Sequence, residues 1–196
     1  MKLSAGRKLC FGVGALGKDL CYAMISTFLM IYLTDTVGLA PLFVGNLFLV
    51  ARVWDAVNDP MMGFMVDNTR TRWGKFRPWI LIGTLLNSVI MIFMFRDPGL
   101  EGFALYAYFS VTYILWGMTY TMNDIAYWGM LPSLSSDPKE RDTLVTLMSV
   151  FICVGQFAVA GIVPTVVAGN AIQAYRVTAL IVALAFIAFQ TLVVLG

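Results

Sequence analysis

The sequence predicts an all-α membrane protein of six transmembrane helices. Two observations carry this. Of the 196 residues, 60% are hydrophobic and only 12% are charged, where a soluble domain usually carries about 25% charge. The apolar residues also fall in runs that recur along almost the whole chain, each long enough to match the roughly 20 residues that a helix needs to cross a bilayer. The runs are continuous rather than alternating, which argues against a transmembrane barrel.

The helices are predicted at about 9–34, 40–66, 78–96, 102–131, 141–168 and 174–196. Pro41 opens the second and Pro78 the third, in the first turn, where a missing N–H is tolerated. Asp97-Pro98-Gly99 is a turn signal after the third helix. Leu131-Pro132 is expected to end the fourth, and Pro164 to kink the fifth near its end. Arg7 and Lys8 resemble the start of a signal peptide. Lys18 and Asp19 interrupt what would be its apolar core, so the first span is expected to be retained. No soluble domain is expected anywhere in 1–196.

Basic residues fix an expected orientation. Lys2, Arg7, Lys8, Arg70, Arg72, Lys75, Arg77, Lys139 and Arg141 fall on one side, against Arg96 and Arg176 on the other. The side rich in Lys and Arg faces the cytoplasm, which places both termini there. The loop from Asp67 to Arg77 reads first as such a topogenic loop. Histidine is absent, which excludes His-based metal sites and His proton relays. The cysteines, Cys10, Cys21 and Cys153, are odd in number and lie in apolar segments, so no disulfide framework follows. A net charge of +2 gives no reason to expect nucleic acid.

Six ionisable residues lie inside the spans: Lys18, Asp19, Arg52, Asp55, Asp59 and Asp124. Each costs roughly 2.5–3.5 kcal/mol at a helix centre, so the four aspartates cost on the order of 10 kcal/mol before pairing. Asp55 and Asp59 are four apart and share a helix face, with Arg52 one turn earlier. Two readings follow. The carboxylate pair binds a cation, as hard oxygen ligands for Na⁺ or as proton acceptors. Alternatively Arg52 and Lys18 pair internally with two of the four aspartates, and two carboxylates are left over. On helix 4, Trp116, Tyr120, Asp124 and Trp128 recur every four residues, with Thr121 nearly on the same face. A carboxylate between aromatic rings suits a sugar: the carboxylate accepts hydroxyl hydrogen bonds and the rings cover C–H surface. The competing reading is an interfacial aromatic belt, which Trp116 alone suits better.

The stretches Gly17-Lys18-Asp19, 52–60 (RVWDAVNDP), 72–84 (RWGKFRPWILIGT) and 113–121 (YILWGMTYT) resemble the melibiose permease group. These are the glycoside–pentoside–hexuronide:cation symporters of the major facilitator superfamily. Gly63 and Asp67 are similar to that superfamily's Gly-x-x-x-Asp cytoplasmic motif. The resemblance is specific through helices 1 to 4 and weakens through helices 5 and 6. It implies a 3+3 repeat of helices forming one half of a major facilitator fold, the C-terminal half being absent. It also implies cation binding at Asp55, Asp59, Asn58 and Thr121, with Na⁺ at the two aspartates, and sugar contacts from Lys18, Asp19 and Asp124. The ring matching Trp128 packs on the sugar, with Tyr120 beside it, while Arg52 pairs charge. Ser149 stands where the melibiose permeases carry an arginine on helix 5.

The expected function is sugar:cation symport across the cytoplasmic (inner) membrane. The expected partners are a glycoside or related sugar, a coupling Na⁺, Li⁺ or H⁺, the lipid bilayer, and a second six-helix half or another copy; no cofactor is expected. The alternative is a truncated, non-transporting membrane fragment or subunit. An intramembrane aspartyl protease is a distant third, because the Gly-x-Gly-Asp signature is missing and no nucleophile sits beside a base.

Overall fold

A computed structural model describes residues 4–167 and 169–195. Lys2, Ala168 and Gly196, used above for orientation and for the ends of helices 5 and 6, lie outside them. The chain forms α1 (Ala5–Ile31), α2 (Pro41–Asn68), α3 (Arg77–Met94), α4 (Gly102–Leu134), α5 (Pro138–Val167) and α6 (Ala171–Leu195). A π-helical turn, Tyr32–Thr36, extends α1.

Every element appears where its hydrophobic run predicts, and the caps shift the ends. The α1 helix starts four residues earlier than expected, because the Ser4 hydroxyl accepts from the Arg7 N–H at 3.3 Å. At its other end the π turn runs to Thr36, and Gly38 at φ +85° then breaks the helix. The α5 helix starts at Pro138 rather than 141. Asp137 is its N-cap, accepting from the Lys139 N–H at 3.1 Å, and proline fits the first turn. Asn170 caps α6 in the same way, accepting from the Gln173 N–H at 3.2 Å. Pro132 does not end α4, which continues to Leu134. Proline removes one hydrogen bond from the ladder without forbidding the next turn. Similarly, α2 runs through Pro60.

The packing follows a simple exchange. The α1 helix packs on α5 and α6, α4 packs on α2 and α3, and α3 meets α6. Swapping α1 with α4, α2 with α5 and α3 with α6 maps these contacts onto one another. The first helix of each triplet therefore docks against the last two of the other, as the expected 3+3 repeat requires. Close approach rests on small residues. A Cβ on Gly83 of α3 would lie 2.8 Å from the backbone nitrogen of Asn123 on α4, and one on Gly14 of α1 would lie 2.1 Å from Val193 of α6.

The core divides into two apolar clusters stacked along the bundle. One gathers Phe11, Ile80, Tyr127, Leu144, Met148 and Val193. The other gathers Leu29, Tyr32, Phe95, Phe109, Tyr175 and Phe186. Between them, on four helices, lie buried polar residues: Lys18 and Asp19 on α1, Thr84 and Asn87 on α3, Thr119 and Asn123 on α4, and Gln190 on α6. This belt is largely hydrogen-bonded across helices. The Asn87 amide donates to the Trp116 carbonyl at 2.9 Å and to Thr119 at 3.0 Å. The Asn123 amide donates to the Ile80 carbonyl at 3.2 Å and to Thr84 at 2.9 Å, and Gln190 donates to the Gly14 carbonyl at 3.0 Å.

Among the described residues, α1 with its π turn, α3, α5 and α6 are long and apolar enough to cross a membrane. The α2 and α4 helices have ample length, with 28 and 33 residues. The α2 helix carries Arg52, Asp55 and Asp59, and α4 carries Asp124 among Tyr, Trp, Thr and Asn residues.

Candidate functional site

A cavity of about 180 Å³ lies where α2 faces α4, beside α1. Its lining includes Arg52, Asp55 and Asp59 from α2 and Tyr120, Thr121 and Asp124 from α4. Residues 65 positions apart thus share one wall of a few helical turns.

The two carboxylates of α2 have different partners. Asp55 Oδ2 meets the Arg52 guanidinium at 3.5 Å. Asp59 Oδ1 accepts the Thr121 hydroxyl from α4 at 3.1 Å. Gly117 of α4 faces Asp55, and a Cβ there would sit in ordinary van der Waals contact with Asp55 Oδ1, at 3.5 Å. Asn58 is fully buried next to this pair, and neither its amide nitrogen nor its oxygen has a hydrogen-bond partner. Burying an unpaired amide costs about 1–3 kcal/mol.

Asp124 joins the cavity to a charged cluster behind it. The Lys18 ammonium donates to Asp124 Oδ1, as does the Trp128 indole N–H at 3.1 Å. Lys18 is 4% exposed, while Asp124 is 35% exposed. The ammonium also lies over the rings of Tyr120, Tyr127 and Trp128 at 5.7, 5.6 and 5.2 Å. Asp19 is 6% exposed. It lies within electrostatic reach of both Lys18 and Asp124, with Gln156 of α5 as a polar neighbour. The charged set of Lys18, Asp19 and Asp124 therefore carries one more negative than positive charge.

The site residues predicted from sequence fall into three groups. Arg52, Asp55, Asp59, Tyr120, Thr121 and Asp124 line the cavity. Lys18, Asp19 and Trp128 do not line it; they form a layer behind Asp124. Asn58 lines no part of it and touches none of the predicted cation ligands by hydrogen bond. Internal pairing and an open carboxylate coexist: Arg52 and Lys18 each take one aspartate, and Asp59 has only the neutral Thr121 hydroxyl. Ser149 lies elsewhere, on an exposed face of α5, its hydroxyl turned to the Val145 carbonyl at 2.9 Å.

Trp116 corrects the belt reading. It is buried, stacked between Tyr120 at 5.2 Å and Tyr113 at 6.3 Å. With Tyr22 of α1, which packs on Tyr120 at 5.4 Å, these rings make an aromatic wall along the cavity. Tyr22, Tyr113 and Gln156 were not among the predicted site residues. Tyr22 had a legible signal, one turn after Lys18 and on the same face. Gln156 had none, because it comes near Asp19 from another helix.

Residues 10–196 match the family model described as MFS/sugar transport protein. The chain is similar to the inner membrane symporter YicJ of Escherichia coli, 36% identical over 72% of this chain and 31% of that protein. It is similar to the lactose permease of Lactobacillus helveticus, 37% identical over 70% of this chain and 24% of that protein. The isoprimeverose transporter of Lactiplantibacillus pentosus is 40% identical over 66% of this chain and 27% of that protein. The chain belongs to the MFS/sugar transport protein family. It is a multi-pass membrane protein, and it spans about a quarter to a third of the length of these relatives.

Proposed function

We propose that this chain is the N-terminal half of a sugar:cation symporter of the inner membrane, with both termini in the cytoplasm. The single observation that carries this reading is the shared cavity. It joins the Asp55–Asp59–Thr121 group to Asp124 and its aromatic neighbours across one short gap between α2 and α4.

In this reading a monovalent cation binds between Asp55 and Asp59. Among the described residues no group of three or more His, Cys, Asp or Glu side chains could hold a metal, so the remaining ligands must be neutral oxygens. The Thr121 hydroxyl is one. Asn58, buried next to Asp59 in the chain with its carbonyl oxygen unpaired, becomes another when its side chain turns into the cavity, and a cation there would offset the cost of burying it. The cation removes the repulsion between the two carboxylates. It thereby holds α2 against α4 at Thr121, one turn before Asp124. The sugar then bonds through its hydroxyls to Asp124 and covers the Tyr120 ring, while Lys18 and Trp128 hold Asp124 in place from behind and Asp19 attracts Lys18. Relatives named for lactose and isoprimeverose support a glycoside substrate. A membrane potential of 100 mV supplies about 2.3 kcal/mol per charge moved, so one cation drives uphill sugar entry.

Transport needs a second bundle against which this one rocks. A second six-helix half or another copy would cover the exposed α5 face bearing Val150, Val154 and Phe157. That same open face also favours a second reading, a membrane subunit that does not transport by itself. The test is sugar binding to the purified chain, with and without a co-expressed second half, as Na⁺, Li⁺ and pH are varied. Cation-dependent binding that disappears in Asp59→Cys supports the symporter. Unchanged coupling in Asp59→Cys sinks the cation assignment, and no sugar binding under any cation favours the subunit.

A further inference from the structure

A separate cavity of about 340 Å³ opens where the start of α3 meets the end of α6. Arg72, Trp73 and Arg77 line it together with Leu81, Thr191 and Val194. Arg77 also lines a smaller cavity of about 80 Å³ with Arg7. Among the described residues the ion pairs are Lys8–Glu140, Lys18–Asp124, Arg52–Asp55 and Lys75–Asp67, so Arg72 and Arg77 have no carboxylate partner. The first turn of α3 begins at Arg77, and its free N–H groups add positive potential.

Two apolar stripes run down from this cavity. On α3, Ile82, Leu85, Val89 and Phe93 are exposed; on the neighbouring α6, Leu192, Leu184, Ile181 and Val177 are exposed. Both stripes face outward, and both start at the arginine end. Trp73 is exposed beside the arginines, in the position of an interfacial anchor. We propose that this groove binds an anionic phospholipid, its phosphate on Arg72 and Arg77 and its acyl chains along α3 and α6. Charge complementarity selects the headgroup, and the double stripe selects a lipid over a free anion. Nothing in this inference depends on the central cavity or on sugar transport.

The test is native mass spectrometry of the chain in detergent with phosphatidylglycerol or phosphatidylcholine. The wild-type chain should retain phosphatidylglycerol preferentially. A surface arginine contributes about 1 kcal/mol to anionic-lipid attraction, or about fivefold. The preference should therefore fall about thirtyfold in Arg72→Gln/Arg77→Gln. It should persist in Arg72→Lys/Arg77→Lys, which keeps the charge and the topology, and in Arg96→Gln/Arg176→Gln at the opposite end. Equal retention of the two lipids by the wild-type chain overturns the proposal. So does equal displacement by millimolar inorganic phosphate, which would mark a free-anion site, or a lipid-free dimer, which would mean that a second copy covers the groove.

Discussion

Lys18 should be the more costly member of the buried charge cluster to lose. It is 4% exposed and serves two carboxylates, Asp124 through a direct bond and Asp19 through space. Lys18→Met removes the only positive charge of the cluster and leaves two carboxylates facing each other. Breaking a buried pair in this way costs about 3–5 kcal/mol, and three ring contacts are lost as well. Asp124→Asn is milder. It leaves Lys18 with Asp19, keeps an acceptor for the Trp128 indole, and acts at a side chain that is 35% exposed. A loss of about 1 kcal/mol is expected for such a partly hydrated charge-assisted bond. The two effects should not add. In the Lys18→Met background, Asp124→Asn relieves repulsion on Asp19, so its effect should change sign and stabilise. The assay is unfolding of the four proteins of this cycle in mixed detergent micelles. Additivity to within about 0.5 kcal/mol would refute the reasoning, as would Asp124→Asn proving the more damaging single change.

Two further outcomes follow from the packing. Asn58→Leu replaces a buried amide with two unpaired polar atoms by an apolar side chain of similar size. It should raise stability in the same unfolding assay by about 1–2 kcal/mol while abolishing the cation dependence of sugar binding; destabilisation would show that Asn58 is paired in the folded protein. Gly83→Ala drives a methyl group toward the α4 backbone at Asn123, so it should cost about 1–3 kcal/mol. A melting temperature equal to wild type would show that α3 and α4 separate freely.

The amino-acid sequence by itself determined the six helices, because each needs only a local apolar run of sufficient length. It also determined which helices carry the unusual charges, since an ionisable residue in a membrane span stands out whatever surrounds it. The resemblance at residues 52–60 and 113–121 pointed to the residues around which the cavity forms. Helix ends were less legible. Asp137 and Asn170 act through single capping bonds, and Pro132 through one missing bond, all small beside the apolar pattern.

Only the tertiary structure decided how those charges divide. Asp124, Lys18 and Asp19 lie on two helices whose relative rotation no periodicity records. Whether Lys18 faces the cavity or stands behind Asp124 depends on the α1–α4 geometry. The same holds for Trp116, which by itself suited an interfacial belt better, and which stacking between Tyr113 and Tyr120 places inside. The arginines of the loop after α2 read in sequence as a signal of orientation alone. They became a candidate lipid site only when α6, more than a hundred residues further along the chain, was seen to end beside them.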